Sequence, residues 1–162
     1  MGKKTSHVSE GDTDVETLFA VLSGPDWASQ VAAALDDDCQ VVRRDVGADG
    51  SVELVMSRRT EPLPGFVAKF APDNVRIITT DSWGPNVEGV RSCTWTAEIP
   101  GTPVKIRGTQ TIEPCAAGSR HSAAAEVTVP VPLLGGKIEG FICEQIQRIA
   151  HAEEEVVRTV LA

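Results

Sequence analysis

The C-terminal segment of the chain, residues 130–162, reads PVPLLGGKIEGFICEQIQRIAHAEEEVVRTVLA. Its apolar residues recur mostly at intervals of three and four, which is the spacing of one face of an α-helix. They are Ile138, Phe141, Ile142, Ile146, Ile149, Val156 and Val160. The pattern predicts an amphipathic helix of roughly 25 residues, about 38 Å long, which must lie across a whole sheet.

Two glycines, Gly135 and Gly136, precede this helix and are expected to absorb the reversal from strand to helix. Together with Lys137 they resemble part of a phosphate-binding loop. The Ser or Thr that follows the lysine in such loops is missing, and Val131 stands where the first glycine belongs. We therefore predict no nucleotide site and no other cofactor.

Six segments rich in β-branched residues come before the helix, and turn residues separate them. They are residues 41–46, 52–60, 75–83, 89–99, 104–114 and 120–131. The Asp49-Gly50 pair between the first two is typical of a hairpin. Consecutive strands joined by short turns predict an antiparallel meander.

The N-terminal part of the chain predicts one further strand over residues 5–10, followed by two short helices. Thr13 and Glu16 have the spacing of a capping box for the first helix, and Pro25 suits the first turn of the second. Residues 62–70, with Phe66 and Phe70, predict one helical turn or a packed loop. This segment is a candidate lid.

The chain has 162 residues, 15 of them basic and 23 acidic, and a net charge of -8. This length predicts one domain over residues 1–162. Nucleic acid is not an expected partner, because phosphate binding needs a positive surface. The adjacent arginines, Arg43-Arg44 and Arg58-Arg59, each straddle the two faces of a predicted strand, and we interpret them as solvated strand edges.

No apolar run follows the charged N-terminus, so no signal peptide is predicted. No apolar run in the chain has the length of about 18 residues that a membrane span needs. A cytoplasmic location without integral membrane association is expected. The four cysteines and three histidines show no metal-ligand spacing, so neither a metal site nor a disulfide is predicted. The sequence leaves the oligomeric state open.

The order of strand, two short helices, a six-stranded run and a long helix after residues 130–136 resembles the helix-grip fold. This is the α+β fold of the START and birch-pollen-allergen-like superfamily, which includes polyketide cyclases and lipid carriers. The resemblance covers nearly the whole chain, which looks like a bacterial branch of unknown function. It implies a curved antiparallel sheet of six to seven strands around the C-terminal helix, with a cavity between them.

Strand alternation predicts which side chains face that cavity, because successive residues point to opposite faces of a sheet. The inward set includes small residues such as Gly108 and Ala123, which either leave a hollow or let the helix sit closer. Most of the candidate ligand contacts are apolar, as is usual in small-molecule sites. They are Phe66, Phe70, Trp83, Cys93, Trp95, Ile106, Ile138 and Phe141.

Three polar candidates share the inward face: Gln110, His121 and Arg91. A buried polar group needs a hydrogen-bond partner, so each is either satisfied within the protein or aimed at a ligand. Arg91 is expected to reach solvent, with ligand contact as the alternative. A dyad of Cys93 and His121 is conceivable because both face inward, although no third activating group is apparent.

The sequence is compatible with three functions. The first is binding of a small hydrophobic ligand, such as a lipid or polyketide-like molecule, with Gln110 and His121 orienting its polar end. The second is an enzyme like the cyclases and dehydratases of the superfamily, in which His121 or Arg91 moves protons. The third is a module that binds another protein and holds no ligand.

Overall fold

The computed structural model describes residues 2–35, 38–59, 64–69 and 76–162. Within these ranges the chain forms seven strands and four helices in the predicted order. The strands are β1 (Lys3–Gly11), β2 (Asp38–Val46), β3 (Val52–Arg59), β4 (Arg76–Trp83), β5 (Arg91–Glu98), β6 (Lys105–Cys115) and β7 (Gly118–Thr128). The helices are α1 (Val15–Leu22), α2 (Trp27–Leu35), α3 (Gly65–Ala68) and α4 (Gly135–Val160).

All seven strands belong to one curved antiparallel sheet with the order β1-β7-β6-β5-β4-β3-β2. The first strand pairs with the last, from Lys3 opposite Val127 to Gly11 opposite Ser119. At the other edge the register of β2 shifts between Val41 and Arg43, and such a bulge bends an edge strand. The helix-grip architecture predicted from element order is confirmed.

The alternation predicted for the central strands is confirmed by burial. In β6, Ile106 and Ile112 are buried while Lys105 and Arg107 are exposed. In β7, Ala125 is buried and Ala124 is exposed. One face of the sheet therefore carries the core, and the helices cover that face.

Helix α4 lies along the sheet, as its apolar stripe predicts. Its first half packs in a core cluster through Ile138 and Cys143, and its second half joins another cluster through Val156. On β1, the Gln147 side-chain amide donates to the Ser6 carbonyl at 2.7 Å. The helix is therefore fixed to both the core and one edge strand.

The junction before α4 depends on one of its two glycines. A Cβ on Gly135 would overlap the Val129 carbonyl oxygen, whereas a Cβ on Gly136 would meet open space. The turn itself is made by Leu133, which is fully exposed and has a φ of 69°. The expectation that both glycines make the reversal is thus wrong. Leu133 makes the turn, and only Gly135 is needed, because its backbone lies close to the Val129 carbonyl.

The predicted capping box of α1 is wrong in its residues. The N-cap is Asp14, whose Oδ1 accepts a hydrogen bond of 2.8 Å from the Thr17 amide. Glu16 cannot reach back to the cap because its carboxylate binds Arg91. The two arginine pairs also differ from each other: β2 is an edge strand, but β3 is internal and Arg58 lines the space beneath α4.

Candidate ligand-binding cavity

A cavity of about 450 Å³ lies between α4 and the inner face of the sheet. This volume is within the range of small-molecule sites. Most of its lining is apolar and comes from α2, the central strands and α4. Representative lining residues are Trp27, Met56, Trp95, Ile106, Ile138 and Ile142.

Small inward residues create part of this space. Ala97 and Ala123 both line the cavity, so of the two alternatives for the small inward residues, a hollow is the one present there. Gly108 has a different role, because a Cβ at that position would come within 2.5 Å of the Trp95 indole ring. The Trp95 ring therefore occupies the space that a side chain at position 108 would fill, and Trp95 itself lines the cavity.

The predicted contact residues separate into three groups. Six of them line the cavity: Trp95, Ile106, Gln110, His121, Ile138 and Phe141. Four others are described by the structure but do not line it: Phe66, Trp83, Arg91 and Cys93. Phe70 lies outside the described residues, as do residues 62 and 63 of the candidate lid. The described part of that segment, residues 64–69, contains the one-turn helix α3.

Trp83 and Cys93 face inward as predicted but lie under α1, beyond the cavity. The Trp83 ring packs edge-on against Phe19 of α1, with ring centroids 5.6 Å apart. Burial raises the pKa of the Cys93 thiol well above its usual value. Phe66 of α3 packs edge-on against the Phe141 ring, with ring centroids 6.2 Å apart, and so contacts a lining residue without lining the cavity itself.

Arg91 does not reach solvent, and this expectation was wrong. The side chain is 6% exposed and donates to both Glu16 carboxylate oxygens, at 2.7 and 2.8 Å. It also donates to the Gly50 and Gly84 carbonyls, each at 2.9 Å, and stacks over the Phe19 ring. These contacts tie β5 to α1 and to the β2–β3 turn, so Arg91 is a structural residue.

Gln110 and His121 are brought together on neighbouring strands at the cavity wall. The His121 Nε2 lies 2.8 Å from the Gln110 Oε1, which can only accept, so the imidazole donates from Nε2. Burial, with a smaller effect of nearby His7, lowers the pKa of His121 to about 4. At physiological pH the imidazole is therefore neutral and cannot act as a general acid. Its Nδ1 can accept a hydrogen bond.

A second polar group, formed by Asp81, Glu153 and Arg58, was missed by the sequence analysis. Asp81 on β4 is 8% exposed, and all three side chains line the cavity. Burial raises the pKa of Asp81 to about 7, although Arg58 opposes this shift. Burial likewise raises the pKa of Glu153 to about 7, with Arg58 lowering it and Asp81 raising it further.

Comparison with known protein families assigns the chain. Residues 6–161 match the model described as "Protein of unknown function (DUF2505)". The chain belongs to the DUF2505 family. Similar proteins include Rv0481c of Mycobacterium tuberculosis and Mb0491c of Mycobacterium bovis, both described as uncharacterized and both 30% identical over 114 residues. That alignment covers 68% of this chain and 66% of each relative, which is just under two thirds of their length.

Solved structures show the same fold as this DUF2505 protein. TTHA0849 of Thermus thermophilus superposes with a TM-score of 0.69 at 14% identity, over 99% of this chain and 100% of that one. A START superfamily protein of Mycobacterium smegmatis gives 0.60 at 14%, over 97% and 98%. Norcoclaurine synthase of Thalictrum flavum gives 0.61 at 14%, over 99% and 87%. The resemblance to the START and birch-pollen-allergen-like superfamily is confirmed at the level of fold.

The missed residues of the DUF2505 protein did leave signals in its sequence. Asp81 has the same parity on β4 as Trp83, which was correctly placed on the inward face. Glu153 lies four residues after Ile149 and three before Val156, and therefore belongs to the apolar stripe of α4. The Glu153-Glu154-Glu155 run obscured that position by resembling a solvated surface.

The chemistry available in the cavity is hydrogen bonding and proton exchange by carboxyl groups. In the part of the chain that the structure describes, no cluster of His, Cys, Asp and Glu is suited to hold a metal ion. A Cys93–His121 dyad is not formed, because Gln110 bonds to His121 and its amide lies 3.9 Å from the Cys93 sulfur. No helix among the described residues combines the length and hydropathy needed to cross a membrane.

Proposed function

We propose that this protein binds a small, mainly apolar molecule in the cavity between α4 and the sheet. The observation that carries the proposal is the cavity itself, about 450 Å³ of space with an apolar lining and a few converging polar groups. A well-packed interior has few voids larger than a water molecule. A space of this size in the middle of the fold is therefore better explained by an occupant than by imperfect packing.

Burial of ligand surface supplies the driving force in this proposal. Removing apolar surface from water contributes roughly 25 cal/mol per Å², before the costs of association are subtracted. Trp95, Ile106 and Ile138 provide apolar walls on opposite sides of the space. The ligand's polar end would meet Gln110 and His121, whose mutual hydrogen bond leaves the imidazole Nδ1 as an acceptor.

The fold supports this assignment without identifying a ligand. One protein of the same fold is named as a synthase, norcoclaurine synthase, so the architecture is compatible with a small-molecule site. The protein-interaction alternative is favoured by a collapsed interior, which the cavity argues against. A cyclase or dehydratase activity and a cytoplasmic location stay predictions.

A cavity-filling variant tests the proposal. Ala123 lines the cavity, whereas the next residue, Ala124, is exposed on the opposite face of the same strand. We expect the unmodified protein to bind the neutral apolar dye Nile red saturably, with a rise in fluorescence. Ala123→Leu should weaken this binding about tenfold, or near 1.4 kcal/mol, because the new side chain occupies the site.

Ala124→Leu is the matched control, since it adds the same side chain on the outer face and should leave the affinity unchanged. Circular dichroism and thermal unfolding verify that both variants fold. Absence of saturable dye binding, or equal binding by the two variants, would count against a ligand in this cavity.

A further inference from the structure

Asp81 is a buried carboxyl group with open hydrogen-bonding capacity. Only 8% of its surface is exposed, and it lines the cavity. Among the residues that the structure describes, none donates a hydrogen bond to its side chain. Buried polar groups are normally hydrogen-bonded, and an unmade bond costs free energy. This carboxyl group therefore lacks a partner that something entering the cavity could provide.

Glu153 places a second carboxyl group in the same space from the opposite wall. It lies on α4, lines the cavity, and has no hydrogen-bond donor among the described residues. The two acids and Arg58 influence one another electrostatically. Other charged residues also line the cavity, but Glu10, Arg59, Arg148 and Arg158 are exposed, and Glu154 pairs with His7 and Arg158. Asp81, Glu153 and Arg58 are the remaining charged residues of the lining.

The charge balance of this group favours a cationic occupant. With both acids ionised, Asp81, Glu153 and Arg58 carry a net charge of -1, from two negative groups and one positive. A protonated amine would neutralise that charge and bring several N–H donors to acceptors that lack them. A carboxylate would meet two groups of its own sign, and a hydroxyl would leave the charge uncompensated.

We propose that Asp81 and Glu153 are the recognition site for a protonated amine on an otherwise apolar ligand. This inference rests on the proposed function, because the apolar part of the ligand must occupy the same cavity. The ligand is then a cationic amphiphile, with its amine between β4 and α4 and its apolar part along Trp95 and Ile138. Gln110 and His121 remain available to a second polar group.

The surrounding titratable groups give the site a defined pH response. Asp81 interacts with Arg58 on β3, Cys93 on β5 and Glu153 on α4. The Cys93 thiol stays neutral between pH 6 and 8, because burial raises its pKa. The pKa values near 7 of the two acids mean that both lose protons over this interval. Amine binding should strengthen as the pH rises from 6 to 8.

Calorimetric titration with decylamine, decanol and decanoate, which share one chain length, tests this inference. At pH 8 we expect decylamine to bind at least about tenfold more tightly than decanol, and decanoate to bind most weakly. The double variant Asp81→Asn with Glu153→Gln should abolish the preference for the amine while retaining decanol binding, which also shows that it folds. Glu144→Gln removes an exposed carboxylate from the same helix and should change neither affinity.

Equal affinity for decylamine and decanol would overturn the amine site, as would an amine preference that survives the double variant. In both cases decanol binding would leave the apolar ligand function standing. If folded protein binds none of the three compounds, both proposals are wrong.

Discussion

Asp81 shows how the position of one residue on a strand determines its chemistry. Its cross-strand neighbours are Leu54 on β3 and Trp95 on β5, so its carboxyl group has apolar side chains on both sides. Deprotonation there places a charge where water cannot solvate it well, which is why burial raises the pKa to about 7. The same residue on the outer face of β4 would be an ordinary surface acid.

This raised pKa predicts an unusual dependence of stability on pH. A carboxyl group with a higher pKa in the folded chain binds its proton preferentially there. Its contribution to stability is fully present below the unfolded pKa near 4 and is lost as the pH rises through about 7. The free energy of unfolding of the wild type, minus that of Asp81→Asn, should therefore fall between pH 5 and 8, by on the order of 2 kcal/mol.

Urea denaturation at a series of pH values measures this difference. The subtraction is needed because His121 has the opposite effect on the unfolding free energy. Its pKa is lowered to about 4, so its contribution to the stability of the protein is lost as the pH falls below 6.5. Glu144→Gln removes an exposed acid from α4 and is measured alongside as the reference variant. A difference for Asp81→Asn that does not change with pH would show that its carboxyl group is solvated.

At this scale the sequence predicts the wall residues better than the charged ones. Alternation along β6 and β7 is sufficient to place Gln110 and His121 inward, because apolar neighbours define the face. Asp81, Arg58 and Glu153 violate the rule that charges face water, so hydropathy alone assigns them to the surface. Their inward position is indicated only by alternation and helical spacing. Asp81 lies two residues from Trp83, and Arg58 lies two residues from Met56. Glu153 falls on the apolar stripe of α4.

Among the elements, α4 depends on a buried hydrogen bond near its N-terminal end. Glu139 is 8% exposed, and its carboxylate accepts from the Val129 amide at 2.9 Å, just after β7 ends. Gly135 makes the same junction compact by approaching the Val129 carbonyl. The helix is thereby fixed over the cavity at the end where Ile138 and Phe141 form part of the wall.

Removing the Glu139 acceptor should loosen this junction. Glu139→Ala leaves the buried Val129 amide without a partner and should cost about 1 to 3 kcal/mol of unfolding free energy. Glu139→Gln keeps an oxygen in place and should cost less than half as much. Thermal and urea unfolding measure both variants, and equal losses would show that the hydrogen bond is not what stabilises the helix start.

The element order was predictable because each segment carries its own periodicity. The stripe from Ile138 to Val160 identifies α4, and the Asp49-Gly50 turn separates β2 from β3. The first cap was misassigned because Thr13 and Asp14 are both good N-caps. Glu16 is not available to a capping box because it binds Arg91 of β5, which is 75 residues further along the chain, and no local sequence pattern shows this contact.

The cavity belongs to the whole molecule and to no single element. It exists because β1 pairs with β7 on one edge, α2 covers the other side, and α4 crosses between them. Ala97 and Ala123 leave space, while Trp95 fills the space above Gly108. From sequence, small residues on the inner face were equally compatible with a hollow and with a closer helix, because the choice depends on the curvature of the sheet.

Native mass spectrometry of the protein purified from its own host would show whether the cavity holds a ligand. We expect a folded species heavier than the chain by the mass of one small molecule, which denaturing extraction releases. Ala123→Leu should reduce the amount of this species, and Ala124→Leu should not. An amine in the released compound would further support the site at Asp81 and Glu153. A protein that is empty as isolated, and that binds none of decylamine, decanol or Nile red when they are added, would contradict the proposal that the cavity holds a ligand.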